Sequence, residues 1–532
     1  MVKTGLLIGS NPSKIFKLLP KIQKEVLSTF YIQYFPESKL KLLLNRQTLP
    51  TSSTDLSFHP IIEKYYRNTL SLDKNLKVRV LLSSFTDPLC FSKIITKSPI
   101  DVMYFDQVLN QDEMKIVENF VLNKSSIFKC VPFEDNISHD FTAPEESKSA
   151  SEMEVNAAIK DSYDQVVLGG TFDRLHHGHK VLLSEAVVRC RKKLTVGVTD
   201  VQMLKTKKLW ELIEPTEIRI HKISNFLQDV NPQLQYDVIP INDMYGPTKD
   251  DPTFQMLVVS AETAGGGAKI NETRKKNGLN ELDVLRVPLL ENKDFYFEEE
   301  ETKVSSSNIR IRLLGTLLKP PEPRPNLPTR PYIIGLTGGI ASGKSSISQR
   351  LVKLGAGYVN CDIIAHQLYE VGKPAYNKIK EMFGDSILNE DKTINRPALA
   401  KIVFGNEQEL KRLNSVLWPM ILVQAKEESA ELFKTKKTDV VVMEAAVLLR
   451  AGWREDVHEV WTSIIPFEEA VKRTMERYQS TREEVSKRLE SQPINKDYVD
   501  NANVVFCTLW SPKFTQSQVE TAWTDLLKRI KS

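Results

Sequence analysis

Apolar positions recur along the chain in two periods. Short apolar runs at residues 4–8, 77–82, 165–168, 332–336 and 440–443 read as strands. Between them lie stretches of helical spacing. Residues 13–27 place Ile15, Phe16, Leu18, Leu19, Ile22 and Val26 on one face, and a last helix near residues 516–530 turns Val519, Ala522, Trp523, Leu526 and Ile530 toward a core. Strands alternating with helices predict an α/β, multi-domain chain. No internal repeat is found in the sequence.

Two interruptions divide the pattern. Residues 134–162 are polar and serine-rich (APEESKSASE), the composition of a linker. Residues 319–331, KPPEPRPNLPTRP, hold six prolines and predict an extended, semi-rigid spacer, with recruitment of protein partners as the other use of either linker. The expected layout is an N-terminal α/β region (1–133), a polar linker (134–162), a central domain (163–319), a proline-rich linker (320–331) and a C-terminal domain (332–532).

A length of 532 residues, at about 150 per domain, fits this division. Seventy-two basic against 68 acidic residues give a net charge of +4, too small over this length for a nucleic-acid surface. The five cysteines (Cys90, Cys130, Cys190, Cys361, Cys507) are scattered and odd in number, which argues against a disulfide framework or a zinc site and for a reducing compartment. No apolar run is long enough to span a membrane, and the N-terminus lacks a signal-peptide pattern, so a soluble cytoplasmic protein is expected. Lys14, Lys17, Lys21 and Lys24 share a helix face. They read either as a peripheral membrane or mitochondrial contact or as a solvated surface.

Three of the eight histidines, His176, His177 and His179, fall within four residues of VVLGGTFDRLHHGH (residues 166–179). Gly169-Gly170 lets the backbone turn sharply beside a ligand, and a helix starting near His179 offers free N–H groups to phosphate. His176 and His179 would donate to the same anion. Packing histidines, or ligands of a metal, are the other readings. The metal reading has no cysteine nearby and Asp173 as its only close acid.

The pattern GGTFDxxHxGH resembles the signature of the HxGH nucleotidyltransferases. Their in-line displacement at phosphorus asks a protein for positioning and charge stabilisation. Downstream, LKTK (residues 204–207), Pro215, Arg219, YGPTKDDP (245–252), VVSAET (258–263), Asn271 and VSSSNIR (304–310) are similar to phosphopantetheine adenylyltransferases, specifically to the central domain of the animal-type bifunctional coenzyme A synthases. The resemblance implies a Rossmann-like fold in which Gly170, Thr171 and Phe172 line the ligand and Thr171 orients the acceptor phosphate. It implies that His176 and His179 contact the ATP phosphates and that Lys205 or Lys207 neutralises charge at the transferred phosphorus. Ser305, Ser306 and Ser307 with Arg310 would form a second phosphate cradle, a helix N-cap being their other reading. Where relatives often carry an arginine, this chain has Ala264-Gly265-Gly266-Gly267. Arg274 is then the candidate for the triphosphate, or else an exposed helix arginine.

In the C-terminal domain Gly338, Gly343, Lys344 and Ser345 have P-loop spacing between a predicted strand and helix. The backbone of Gly338, Gly339, Ile340, Ala341, Ser342, Gly343, Lys344, Ser345 and Ser346 would wrap the ATP phosphates, with Lys344 on the β and γ oxygens and Ser345 on Mg²⁺. The wider stretch IIGLTGGIASGKSSIS, with VNCDIIAHQLY (359–369), INR (394–396) and VFGN (403–406), resembles dephospho-coenzyme A kinases. That resemblance implies Asp362 as the base for the ribose 3′-hydroxyl, its other reading being a helix N-cap. It implies Arg473, Arg477 and Arg488 as lid arginines and Glu444 beside Mg²⁺. Relatives usually have aspartate at position 444 and often an acid at Arg450.

The two chemistries connect. Adenylyl transfer from ATP to 4′-phosphopantetheine makes dephospho-coenzyme A, which a kinase converts to coenzyme A. The rival readings are a cytidylyltransferase or nicotinamide-nucleotide adenylyltransferase fused to another small-molecule kinase, and a non-catalytic scaffold.

Overall fold

A computed structural model describes residues 1–44, 58–72, 76–83, 93–132, 162–291 and 296–531. The chain separates into two compact units, Met1–Phe295 with Glu300–Asn308, and Tyr296–Glu299 with Ile309–Ser532. Three five-stranded parallel sheets form the framework, so the α/β, multi-domain reading holds.

The first unit contains two sheets. One is built from β1 (Val2–Gly9), β2 (Val26–Tyr34), β3 (Lys77–Leu81), β4 (Ile100–Phe105) and β5 (Lys124–Val131), in the order β3-β2-β1-β4-β5. The other is built from β6 (Tyr163–Gly170), β7 (Cys190–Thr199), β8 (Gln235–Ile241), β9 (Met256–Ser260) and β10 (Asp283–Val287), in the order β10-β9-β6-β7-β8. Counted from each sheet's first strand, the two orders are the same, a repeat of topology in a chain without a repeat of sequence. Central strands such as β1 and β6 are apolar on both faces because helices cover both sides of a parallel sheet.

The stretch 13–27 is not one helix. A 3₁₀ turn, Pro12–Lys17, is followed by a helix, Leu19–Glu25, and Val26 and Leu27 already belong to β2. Pro20, in the first turn, suits a helix start and cannot donate a hydrogen bond to a continuing helix, so the spiral restarts there. Ile15, Leu18, Leu19 and Ile22 are buried, so the apolar face needed for membrane insertion is consumed by the core.

The second unit is organised on β11 (Tyr332–Gly338), β12 (Gly357–Asn360), β13 (Val440–Glu444), β14 (Glu459–Ile464) and β15 (Val504–Cys507), in the order β12-β13-β11-β14-β15. The terminal helix, Pro512–Lys531, packs Val519, Ala522, Trp523 and Leu526 on this core. The proline-rich segment does not stand free of the second unit. Arg324 pairs with Glu455 at 2.6 Å, Glu322 with Arg454 at 2.7 Å, and the Lys319 ammonium donates to the Asp500 carbonyl at 2.5 Å. Ahead of it, the Gly315 and Leu318 amides donate to the Val505 and Asn503 carbonyls, which continues the sheet edge at β15. The serine-rich linker lies outside the described residues, apart from Ser162. Among the described residues no helix is long and apolar enough to cross a membrane.

Candidate active sites

In the central domain the site forms where the sheet order reverses. β6 lies between β7 and β9, and ligands of open parallel sheets settle outside the carboxyl ends of strands at such a point. Phe172 and Arg174 both adopt positive φ, which bends the chain tightly between β6 and the helix His177–Arg189. That helix begins two residues earlier than its sequence suggests, because the His176 imidazole is its N-cap, accepting from the His179 amide at 3.4 Å. A Cβ on Gly178 would come within 3.2 Å of the His176 ring.

The structure separates the three histidines. The His176 and His179 rings stack with centroids 3.7 Å apart at the head of the helix, the end whose partial positive charge suits an anion. His177 turns the other way, against Tyr66 at 5.6 Å. Burial, with Lys180 and Arg79 nearby, holds its imidazole well below the usual range. Phe172 is buried and its ring backs His179 at 5.2 Å, so its side chain acts through that histidine and does not face a ligand. Asp173 is also buried. Its carboxylate accepts from the Glu214 amide at 3.0 Å, and its carbonyl accepts from the Ser306 hydroxyl at 2.8 Å. The one acid of the metal reading is therefore structural, and no cluster of three potential metal-ligating His, Cys, Asp or Glu side chains occurs among the described residues.

Thr171 receives the Thr199 hydroxyl at 3.1 Å. Behind both threonines stands Arg219, fully buried, whose guanidinium donates to the carbonyls of Thr171 (2.7 Å), Thr199 (2.9 Å) and Glu214 (2.8 Å). Lys205 and Lys207 are exposed on the turn after β7, at the same sheet edge as Gly170, which pairs in register with Val198. Ser305 accepts from the Asn308 amide at 3.2 Å, the N-cap role, while Ser307 and buried Arg310 lie farther along the helix Ser306–Leu313. Arg274 is neither exposed nor aimed at a triphosphate. It is fully buried and donates to the carbonyls of Thr248 (2.6 Å), Asp251 (2.8 Å) and Asn280 (2.7 Å), clasping the YGPTKDDP loop.

In the second unit β11 runs into the P-loop and the helix Lys344–Lys353. Gly338, Ala341 and Gly343 have positive φ. A Cβ on Gly338 would fall 2.2 Å from the Ser463 carbonyl, so only glycine fits there. The Lys344 ammonium donates to the carbonyls of Gly338 (3.0 Å) and Gly339 (2.9 Å), folded over the loop it serves. Desolvation lowers its pKa, opposed by Glu444 and Asp362. The Ile340 amide donates to the Gln492 side chain at 2.9 Å, and buried Ser342 offers its carbonyl to Ser463 and Thr508. Ser346 accepts from Arg350.

Glu444 ends β13 almost fully buried and receives three hydroxyls: Ser345 on Oε1 (2.9 Å), and Ser348 (2.7 Å) and Tyr358 (2.8 Å) on Oε2. A buried carboxylate sharing one oxygen with the P-loop serine is a hard-oxygen donor set of the kind Mg²⁺ takes together with phosphates and water. Asn360 caps the helix Cys361–Leu368, which frees Asp362 from that role and sets it in the first turn. Although open to solvent overall, Asp362 has its carboxyl pushed above the usual range by desolvation, with Lys344 opposing and Glu444 adding to the shift.

Arg473 is held to Thr508 (2.8 Å to the hydroxyl, 2.7 Å to the carbonyl) and Glu469 (2.7 Å), beside the Ala341 carbonyl. Arg477 and Arg488 are exposed, and each lies 5.3 Å from the Tyr478 ring. Arg450, where relatives often have an acid, is exposed. Sequence reasoning missed Arg219's hold on Thr171, and it missed Tyr358, Ser348, Gln492 and Thr508. Each acts through a contact distant in the chain, and Tyr358, Gln492 and Thr508 lie outside the motifs quoted from the sequence.

Residues 332–508 match the dephospho-CoA kinase family and residues 167–312 match the cytidylyltransferase-like family. The dephospho-CoA kinase of Carboxydothermus hydrogenoformans is 38% identical over 202 residues, which are 37% of this chain and 98% of that protein. The dephospho-CoA kinase of Syntrophus aciditrophicus is 31% identical over 196 residues, 37% of this chain and 83% of that protein. The solved dephospho-CoA kinase from Campylobacter jejuni aligns at 25% identity with a TM-score of 0.30, covering 37% of this chain and 97% of that one.

Proposed function

This chain belongs to the dephospho-CoA kinase family, and we propose that its two nucleotide sites run consecutive reactions, as in the animal-type bifunctional coenzyme A synthases. In the first, the phosphate of 4′-phosphopantetheine attacks the α-phosphorus of ATP, pyrophosphate leaves, and dephospho-coenzyme A forms. In the second, the ribose 3′-hydroxyl of that product attacks the γ-phosphorus of another ATP, and ADP leaves. The observation that carries this reading is a stacked histidine pair at a helix head in one domain and a P-loop beside Asp362 in the next. The product of the first chemistry is the substrate of the family to which the second domain belongs.

At the first site His176 and His179 donate to the triphosphate, while Arg219 holds the Thr171 backbone so that its hydroxyl meets the acceptor phosphate. Lys205 or Lys207 reaches in from the turn after β7, and the Ser305–Ser307 helix start with Arg310 takes the second phosphate group. At the second site the P-loop amides and Lys344 bind the ATP phosphates, Asp362 takes the 3′-hydroxyl proton, and Arg473 and Arg477 face the transferring group on closure. Ser345 and Glu444 would hold Mg²⁺, which when bound neutralises charge on the phosphate oxygens. The working division of the chain is 163–319 for adenylyl transfer and 332–532 for phosphorylation, with a cytoplasmic location.

The test is to incubate the purified chain with 4′-phosphopantetheine, Mg²⁺ and either ATP or CTP, and to weigh the products. Dephospho-coenzyme A and then coenzyme A are expected with ATP. A cytidylylated product, favoured by the cytidylyltransferase-like match, would replace the first half of the reading, and phosphorylation of added dephospho-coenzyme A tests the second half alone.

A further inference from the structure

The sheets β1–β5 and β6–β10 are both all-parallel and share one strand order, whereas the kinase sheet has another. The place that holds the ligand loop in the second sheet is the end of β1 in the first. There Gly9 is followed by Ser10 and Asn11, whose amides donate to the Asp106 carboxylate at 2.6 and 2.8 Å, with the Ser10 hydroxyl at 3.0 Å. Asp106 is 1% exposed and follows β4, the next strand over. The amides that would cradle a phosphate are thus satisfied by the protein's own anion, and the Tyr65 hydroxyl stands where a Gly9 Cβ would be. This copy of the fold cannot take a nucleotide at that loop.

It nevertheless grips both helices of the active copy. On the histidine helix, His177 and Lys180 lie one turn apart and face Tyr66, at 5.6 Å between rings and 6.0 Å from ammonium to ring. Tyr66 is fully buried and accepts from the Val80 amide at 3.2 Å, so it forms a pillar standing on β3. Lys180 is 6% exposed, and a buried polar pair such as His177 and Lys180 on a helix marks a contact face rather than a solvated one. On the helix Thr216–Val230, which carries Arg219, Asp229 accepts from the Tyr31 hydroxyl (2.8 Å) and the Lys97 amide (3.1 Å) and pairs with Arg79 (3.5 Å). The Leu82 amide donates to the Val230 carbonyl at 2.8 Å. One hydrophobic core, running from Leu7, Phe30 and Tyr66 to Val181, Leu183 and Phe226, joins the two sheets.

We infer that residues 1–132 are a disarmed second copy of the nucleotidyltransferase fold, retained as a built-in support that sets the histidine helix and the Arg219 helix, with Tyr66 and Tyr31 as positioning residues. The inference rests on the adenylyl-transfer reading only for its kinetic arm.

The experiment compares the full chain with Tyr66→Ala, Tyr66→Phe and Tyr31→Phe by amide hydrogen exchange and by steady-state kinetics. Tyr66→Ala should speed exchange at residues 177–183 by about tenfold, a local loosening. It should lower kcat of adenylyl transfer about tenfold, with KM for ATP changed by less than about threefold. Tyr66→Phe, which keeps the ring, should restore both. Tyr31→Phe should loosen residues 216–230 and lower the same kcat, and it serves if Tyr66→Ala does not fold. Unchanged exchange and kcat in the folded variants, or equal loss in Tyr66→Ala and Tyr66→Phe, would overturn the inference. If the unmodified chain transfers no adenylyl group while Tyr66→Ala still loosens residues 177–183, the functional reading fails and the support stands.

Discussion

The Tyr358 hydroxyl donates to Oε2 of Glu444 at 2.8 Å, on the carboxylate oxygen that Ser345 leaves alone. With Ser348 also on Oε2, that oxygen is saturated, and Oε1 is directed toward the P-loop serine. Burial and the neighbouring carboxylate push the Tyr358 phenol well up, so it stays protonated and always donates.

Removing this donor should be felt at the metal and not at the fold. Tyr358→Phe keeps the ring and leaves Oε2 held by Ser348 without the phenol, and support of this kind is worth about tenfold in metal affinity. The Mg²⁺ concentration for half-maximal phosphorylation of dephospho-coenzyme A should rise by about that factor, while adenylyl transfer stays as it was. An unmoved Mg²⁺ titration would take Tyr358 out of the site.

The two reactions should be separable by single substitutions. His179→Ala removes one donor of the stacked pair and should slow adenylyl transfer about 10²-fold, the scale of losing one preorganised transition-state donor. Lys344→Ala should remove phosphorylation alone and let dephospho-coenzyme A accumulate. Near-normal dephospho-coenzyme A formation by His179→Ala would sink the assignment of that histidine.

Arg274 makes a contrasting case. Its guanidinium ties three carbonyls from inside the protein, so Arg274→Ala leaves buried acceptors without partners and should cost on the order of 3 kcal/mol. Thermal unfolding of the first unit should move down, with KM for ATP nearly constant at temperatures where the variant is folded. A raised KM at unchanged stability would return Arg274 to the triphosphate.

What could be read from the sequence follows the range of each interaction. The glycine pair, HxGH and P-loop are contiguous, and their backbone demands are written in neighbouring residues, as Gly338 shows by having no room for a Cβ. Glu444 stood out in the sequence as the acid that ends an apolar run, and Asp362 through the resemblance carried by VNCDIIAHQLY. The support of those groups was not. Arg219 reaches Thr171 across 48 residues, Tyr358 reaches Glu444 across 86, and Asp106 reaches Ser10 across 96. The twin sheets were hidden because strand order is a property of pairing, and the first copy has lost the residues that would advertise it. The break at Pro20 was visible as a residue and overlooked as a boundary, since apolar spacing continued through it.

Asp362 supplies a pH test whose sign can be worked out. Desolvation and the charge of Glu444 raise its carboxyl pKa, with Lys344 and His366 opposing. A base must be ionised to accept the 3′-hydroxyl proton, so phosphorylation should fall with decreasing pH along an acid limb lying above the ordinary aspartate value of about 3.9. The same shift affects stability. A carboxyl whose folded pKa exceeds its unfolded one favours the folded state when protonated, and this contribution fades as pH rises through the folded value, so at neutral pH the ionised group is a mild burden. Asp362→Asn removes that burden together with the base. Phosphorylation should drop by about 10² or more, with the melting temperature at pH 7 equal or higher, the signature of a residue kept for chemistry at some cost to the fold. Thermal melts and pH profiles of the two proteins check both halves. A variant that melts lower and still phosphorylates dephospho-coenzyme A would show Asp362 to be a structural acid.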